Sequence, residues 1–101
     1  MAEQTEKFYN KDSNTIIATI KEVSKKFGWR IVKEDNTNNT VYMQTQASIL
    51  SWGEVVEVKV EANLQDNTVS VSVISKATAQ AFDWGKSADN VRKLIQALKS
   101  S

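Results

Sequence analysis

The chain has 101 residues, 41% of them apolar and 25% charged, and its 13 basic and 12 acidic side chains leave a net charge of +1. That length suits one domain with one core, and the composition argues against a disordered chain. The near-neutral balance removes the simplest case for nucleic-acid or anionic-membrane binding; the absence of cysteine and histidine excludes disulfides, thiolate metal sites and the commonest general base.

No stretch approaches the ~18 apolar residues of a membrane span. Residues 1–7 hold no apolar run of the signal-peptide kind, so the default expectation is a cytoplasmic protein. Proline is absent and glycine occurs three times, which leaves the turns to Asn, Asp and Ser clusters.

Residues 1–5 read as a frayed tail and residues 6–10 as a short edge strand. Asp12 or Ser13 then offers a helix cap. Ile16, Ile20, Val23 and Phe27 follow at the spacing of one helical face, with Lys21, Glu22, Lys25 and Lys26 on the other. Lysines in the last turn suit the helix dipole, and Gly28 suits the left-handed position after it. A helix is predicted over 13–27.

Trp29 to Glu34 reads as a strand, with Trp29 and Ile31 on one side and Arg30 and Val32 on the other; Trp29 is expected to pack under the first helix. Residues 35–39 are a polar loop. A second strand carries Val41, Met43, Thr45 and Ala47 on one face and Tyr42, Gln44 and Gln46 on the other. Ile49, Leu50 and Trp52 break the alternation, which predicts a bulge or loop near Ser48 to Gly53. Val56, Val58, Val60 and Ala62 then alternate with Glu57, Lys59 and Glu61. After Gln65-Asp66-Asn67, Val69, Val71 and Val73 alternate with Ser70 and Ser72. This is a half-buried antiparallel hairpin closed by a polar turn. Small residues follow, then Phe82-Asp83-Trp84-Gly85. Ser87 is expected to cap a last helix, whose stripe is Val91, Leu94, Ile95 and Leu98.

The predicted fold is a single α+β domain over residues 1–101. Its antiparallel sheet has four or five strands, and two helices pack on one face. The order is (β)-α-β-β-β-β-α.

The segments Gly28-Trp29-Arg30-Ile31-Val32 and Trp52-Gly53-Glu54-Val55-Val56-Glu57-Val58-Lys59-Val60, with Val69, Val71, Ser75, Lys76, Asp83 and Gly85 after them, resemble the bacterial domain-of-unknown-function family fourteen-ninety-nine. The resemblance spans residues 13–98 and implies the same order of elements. It departs where Ser72 and Lys76 replace family-like arginines and where Asn90 is displaced. It implies no chemistry, because the family has no established activity.

The individual motifs are weak. Gly85-Lys86-Ser87 looks like the end of a phosphate-binding loop, but Gln80 stands where that loop needs glycine. Asp83 and Lys86 beside Trp84 form a possible anion site, against the simpler reading of a tight turn. Glu54, Glu57 and Glu61 suggest carboxylate chemistry, but Glu57, Lys59 and Glu61 share one strand face and read as solubilising charge; Glu34 and Asp35 make a poor cation site. Asn38-Asn39-Thr40 is a formal glycosylation acceptor better explained as a turn. The polar face with Tyr42, Gln44, Gln46, Lys59, Ser70 and Ser72 has too few aromatics for an RNA-binding sheet.

The expected function is therefore a small non-catalytic domain without cofactor or metal. Its role is protein interaction, self-association or assembly, through the open sheet face, an edge strand or the surface of Leu50, Trp52, Phe82, Trp84 and Lys86. The alternative is a small apolar ligand in a recess near Trp52 and Trp84.

Overall fold

Side-chain alternation in the two long strands sets the architecture. The computed structural model describes residues 1–46, 53–77 and 85–101. Its elements are β1 (Ala2–Tyr9), α1 (Ser13–Lys26), β2 (Arg30–Asp35), β3 (Thr40–Gln44), β4 (Glu54–Asn63), β5 (Thr68–Ala77) and α2 (Lys86–Lys99). The strands form one antiparallel sheet in the order β1-β5-β4-β3-β2. The fold is α+β, as the sequence pattern predicts.

Val58 pairs with Val73 and Val60 with Val71. On the other side of β4, Val58 pairs with Val41 and Val56 with Met43. All of these side chains are buried, together with Ile16 and Ile20 of α1 and Val91, Leu94, Ile95 and Leu98 of α2. The two helices touch each other as well as the sheet, so they share its valine face. The opposite face carries Thr5, Lys7, Lys59 and Glu61 in water, as expected for an antiparallel sheet with one solvated side.

The first strand is longer than expected. β1 begins at Ala2, where a frayed tail was predicted, and pairs with β5 from Ala2–Ser75 to Tyr9–Thr68. Its inward residues are Ala2, Gln4, Glu6 and Phe8, and only Phe8 is apolar and buried. Such a strand has no hydrophobic period to read; backbone pairing holds it. A hydroxyl contact between Thr5 and Ser72 at 3.0 Å and an ion pair between Lys7 and Asp66 at 2.9 Å tie its outer face.

Helix α1 starts and stops as its sequence dictates. Asp12 accepts from the Thr15 amide at 2.7 Å and from the Thr15 hydroxyl at 3.1 Å. At the far end Gly28 has φ +79°. Its amide donates to Lys25 and the Trp29 amide donates to Ser24, a Schellman ending. The ending turns the chain under the helix and leaves Trp29 buried against Phe27, ring centres 5.0 Å apart.

In β2 the expected facing fails. The pairing with β3 shifts between Ile31 and Lys33, so Val32 is the extra residue and both Ile31 and Val32 are exposed. A bulge changes the parity of every residue after it, which puts Glu34 on the helix side in reach of Lys21. Ala62, expected inward with the valines, is exposed near the end of the hairpin, and Leu64 beyond it is 90% exposed. The turn itself follows the predicted chemistry. Asp66 accepts from the Thr68 amide and hydroxyl, and Asn67 takes φ +57°. The predicted bulge near Ser48 to Gly53 falls, apart from Gly53, outside the described residues, as does Phe82-Asp83-Trp84.

Two predictions follow from this packing. Leu94→Ala is expected to cost about 2–5 kcal/mol in urea unfolding, whereas Lys59→Ala on the open face stays within about 0.5 kcal/mol. Three turn and cap carboxyls lie below the ordinary range. Asp12 is held there by the Thr15 amide and hydroxyl, Asp35 by the Asn38 side chain and amide, and Asp66 by the Thr68 hydroxyl and then Lys7. Groups with lowered folded values stabilise above their unfolded value and lose that effect as pH falls through the folded one. Asp12→Ala and Asp66→Ala are thus expected to melt below the native chain at neutral pH. The gap should close under acid conditions, as followed by circular dichroism.

Candidate functional site

Glu54 opens β4 two residues before Val56, and strand parity turns its side chain inward with the valines. It is 1% exposed. Its backbone is fixed by Thr45, whose hydroxyl accepts from the Glu54 amide at 2.8 Å and whose amide donates to the Glu54 carbonyl at 2.9 Å. Ser75 sits on the same inward face of β5, opposite Val56. Ser87 and Asn90, three apart in the first turns of α2, face the sheet.

Three donors converge on one oxygen. Ser75 Oγ donates to Glu54 Oε1 at 2.8 Å and Ser87 Oγ donates at 2.6 Å. Asn90 Nδ2 makes longer contacts, 3.5 Å to the same oxygen and 3.4 Å to Ser75 Oγ. All four residues are buried. The second oxygen, Oε2, is also buried and has no hydrogen-bond partner among the described residues.

This arrangement corrects the role expected of Ser87. The cap position of α2 is Gly85, φ +76°, with no side-chain cap bond. Ser87 lies one residue inside the helix, and its hydroxyl is committed to Glu54 instead. It also separates Glu54 from the solubilising charges: Glu61 and Lys59 are exposed on the open face, while Glu54 has the opposite parity.

Beside Glu54 lies a recess of about 180 Å³. Phe27 and Trp29 form one wall, Thr45 and Gln46 another, and Lys86, Asn90 and Lys93 of α2 a third. The Lys93 ammonium lies 4.4 Å from the centre of the Phe27 ring and 5.7 Å from that of Trp29, a cation–π arrangement. Gly28 makes room for this edge: a Cβ there would stand 2.7 Å from Gln46 Nε2.

Of the surface proposed from sequence, Lys86 lines the recess. Leu50, Trp52, Phe82 and Trp84 lie outside the described residues, as does Asp83. Glu34 is paired with Lys21, and Asp35 closes its own turn by accepting from Thr37 and Asn38. Among the described residues no group of three or more His, Cys, Asp or Glu side chains is placed to hold a metal, and no helix is long and apolar enough to cross a membrane. The residues that sequence reading missed are Glu54 as a buried group and its partners Ser75, Ser87 and Asn90. A signal existed for two of them, since Glu54 and Ser75 continue the parity of Val56 and Val73. Only the packing of α2 brings Ser87 and Asn90 to them.

A scan against protein-family models and a search of curated proteins both returned no match.

Ser87→Ala removes the shortest of the bonds to the buried Oε1 and is expected to cost about 1–3 kcal/mol. Replacing the whole set, Glu54→Leu with Ser75→Ala and Ser87→Ala, is expected to give a domain at least as stable as the native one, because apolar packing commonly matches or exceeds a buried polar cluster. Urea denaturation of the two variants checks both.

Proposed function

We propose that the domain is a binding module and that the recess beside Glu54 receives a small polar molecule. One observation carries this reading: a buried carboxylate oxygen without a partner among the described residues, in a residue that lines a recess. Buried polar atoms are nearly always paired, and an exception calls for a cause. A ligand that donates to Oε2 supplies one. Six of the eight lining residues, all but Phe27 and Trp29, are polar or charged, which favours a polar ligand in this recess; the apolar recess weighed from sequence, near Trp52 and Trp84, lies outside the described residues.

Binding is favoured over catalysis because the chain has no histidine or cysteine, and both serine hydroxyls at Glu54 are committed to its Oε1. The resemblance to family fourteen-ninety-nine fits this reading of the fold and adds no chemistry to it.

A second reading retains protein interaction by strand addition. It rests on β2, an edge strand with Ile31 and Val32 exposed. The register shift and the charges of Lys33 and Glu34 work against edge pairing, so the recess is the stronger site.

The test is an amide NMR titration with methylammonium, guanidinium, glycerol and phosphate. At least one probe is expected to move the resonances of Gln46, Glu54, Lys86, Asn90 and Lys93, and the effect should vanish in the Glu54→Leu, Ser75→Ala, Ser87→Ala variant. Silence from every probe at these residues would overturn the proposal.

A further inference from the structure

We infer that the recess is built for a small amino acid held at both ends, its ammonium at Glu54 and its carboxylate between Lys86 and Lys93. The inference rests on the binding role proposed above and names the class of ligand.

Glu54, one of the lining residues, selects a donor. Oε1 of Glu54 is already occupied by two serine hydroxyls. Oε2 has lone pairs to fill and no described side chain filling them. A hydrogen bond that is both charged and buried is the strongest kind available to it, and an ammonium provides one. The rim selects the opposite charge. Neither Lys86 nor Lys93 has an ion-pair partner among the described residues, although five other basic side chains do. The Lys93 ammonium rests on aromatic faces instead.

Ligands with only one of these features fit badly. A simple anion satisfies the lysines, but leaves Oε2 unpartnered and meets the Glu54 charge. A simple amine satisfies Oε2 and is repelled by two ammoniums. A molecule with both ends matches both surfaces, and a volume of about 180 Å³ accommodates a small amino acid. The lining charge is two lysines against one glutamate, a surplus of one positive charge, so an acidic amino acid fits better than a neutral one. Phe27 and Trp29 leave an apolar wall for its methylene groups. Oε2 is covered in the unliganded chain. Three lining side chains, Gln46, Lys86 and Lys93, are long and exposed, so rotamer changes on their part can admit a ligand.

L-glutamate, L-alanine, N-acetyl-L-glutamate and methylammonium are titrated into the intact chain, followed by calorimetry and amide NMR. L-glutamate is expected to move the recess resonances and to bind at least about 10-fold more tightly than N-acetyl-L-glutamate, which lacks the ammonium. Lys86→Ala with Lys93→Ala, both on the surface, is expected to weaken L-glutamate by a similar factor and to leave methylammonium no weaker. Equal binding of the acetylated compound, or glutamate binding that survives loss of both lysines, contradicts the inference. If both amino acids are silent while methylammonium, or phosphate in the titration described above, moves the recess, the two-ended ligand is wrong and the binding site stands. If no probe moves the recess, both fall.

Discussion

Parity along β4 governs both the core and the candidate site. Side chains two apart share a face of the sheet, so the register that sends Val56, Val58 and Val60 under the helices also sends Glu54 there. No shift of the strand by one residue can free the carboxylate without turning the valines into water. The hydrophobic pattern thus forces a charged group into the interior at the end of the strand. The chain answers with local polar chemistry. Ser75 continues the inward face of β5, Thr45 fixes the Glu54 backbone, and the first turns of α2 bring Ser87 and Asn90 over it.

That answer is incomplete, and its incompleteness marks the candidate site. Oε1 is fully served while Oε2 is not. Local disagreement between a polar side chain and an apolar surrounding is expected where function, rather than folding, has selected the residue. Ser24 Oγ of α1 is a second buried polar atom without a partner among the described residues, but no recess among those residues is lined by it. The cap of α1, its Schellman ending and the Asp66 turn each follow the local sequence, and the core contains the residues its periods predict.

Helix α2 links the site to the rest of the fold. Its amino-terminal turns rest on Glu54. Its carboxyl end is held by Lys11, whose ammonium donates to the Leu98 carbonyl at 3.3 Å and to the Ser101 carbonyl at 2.7 Å, a cation at the negative end of the helix. Lys99 also pairs with Glu6 at 3.4 Å. The strand β1 and the loop after it therefore clasp one end of the helix while the buried carboxylate holds the other. The fold was largely legible in the sequence because valine alternation and two helical stripes are strong, local signals. β1 was not, because Gln4 and Glu6 occupy its inward positions and only pairing with β5 defines it. The Val32 bulge was invisible for a related reason: nothing in Arg30 to Asp35 marks one residue as extra. The site was half legible. Parity could have placed Glu54 and Ser75 inside, but the charge pattern of Glu57 and Glu61 drew Glu54 into the wrong group. The arrival of Ser87 depends on how α2 lies across the sheet, a property of tertiary packing that no local pattern encodes.

The contact between Glu54 and Ser87 joins the sheet to the helix, and a double-mutant cycle measures it most directly. Glu54→Val, Ser87→Ala and the combined variant are compared with the native chain by urea unfolding. The account predicts a coupling of about 0.5–3 kcal/mol, as for groups within one buried network. Additive losses, with coupling within about 0.3 kcal/mol of zero, would mean that the carboxylate does not hold the helix and would contradict the account.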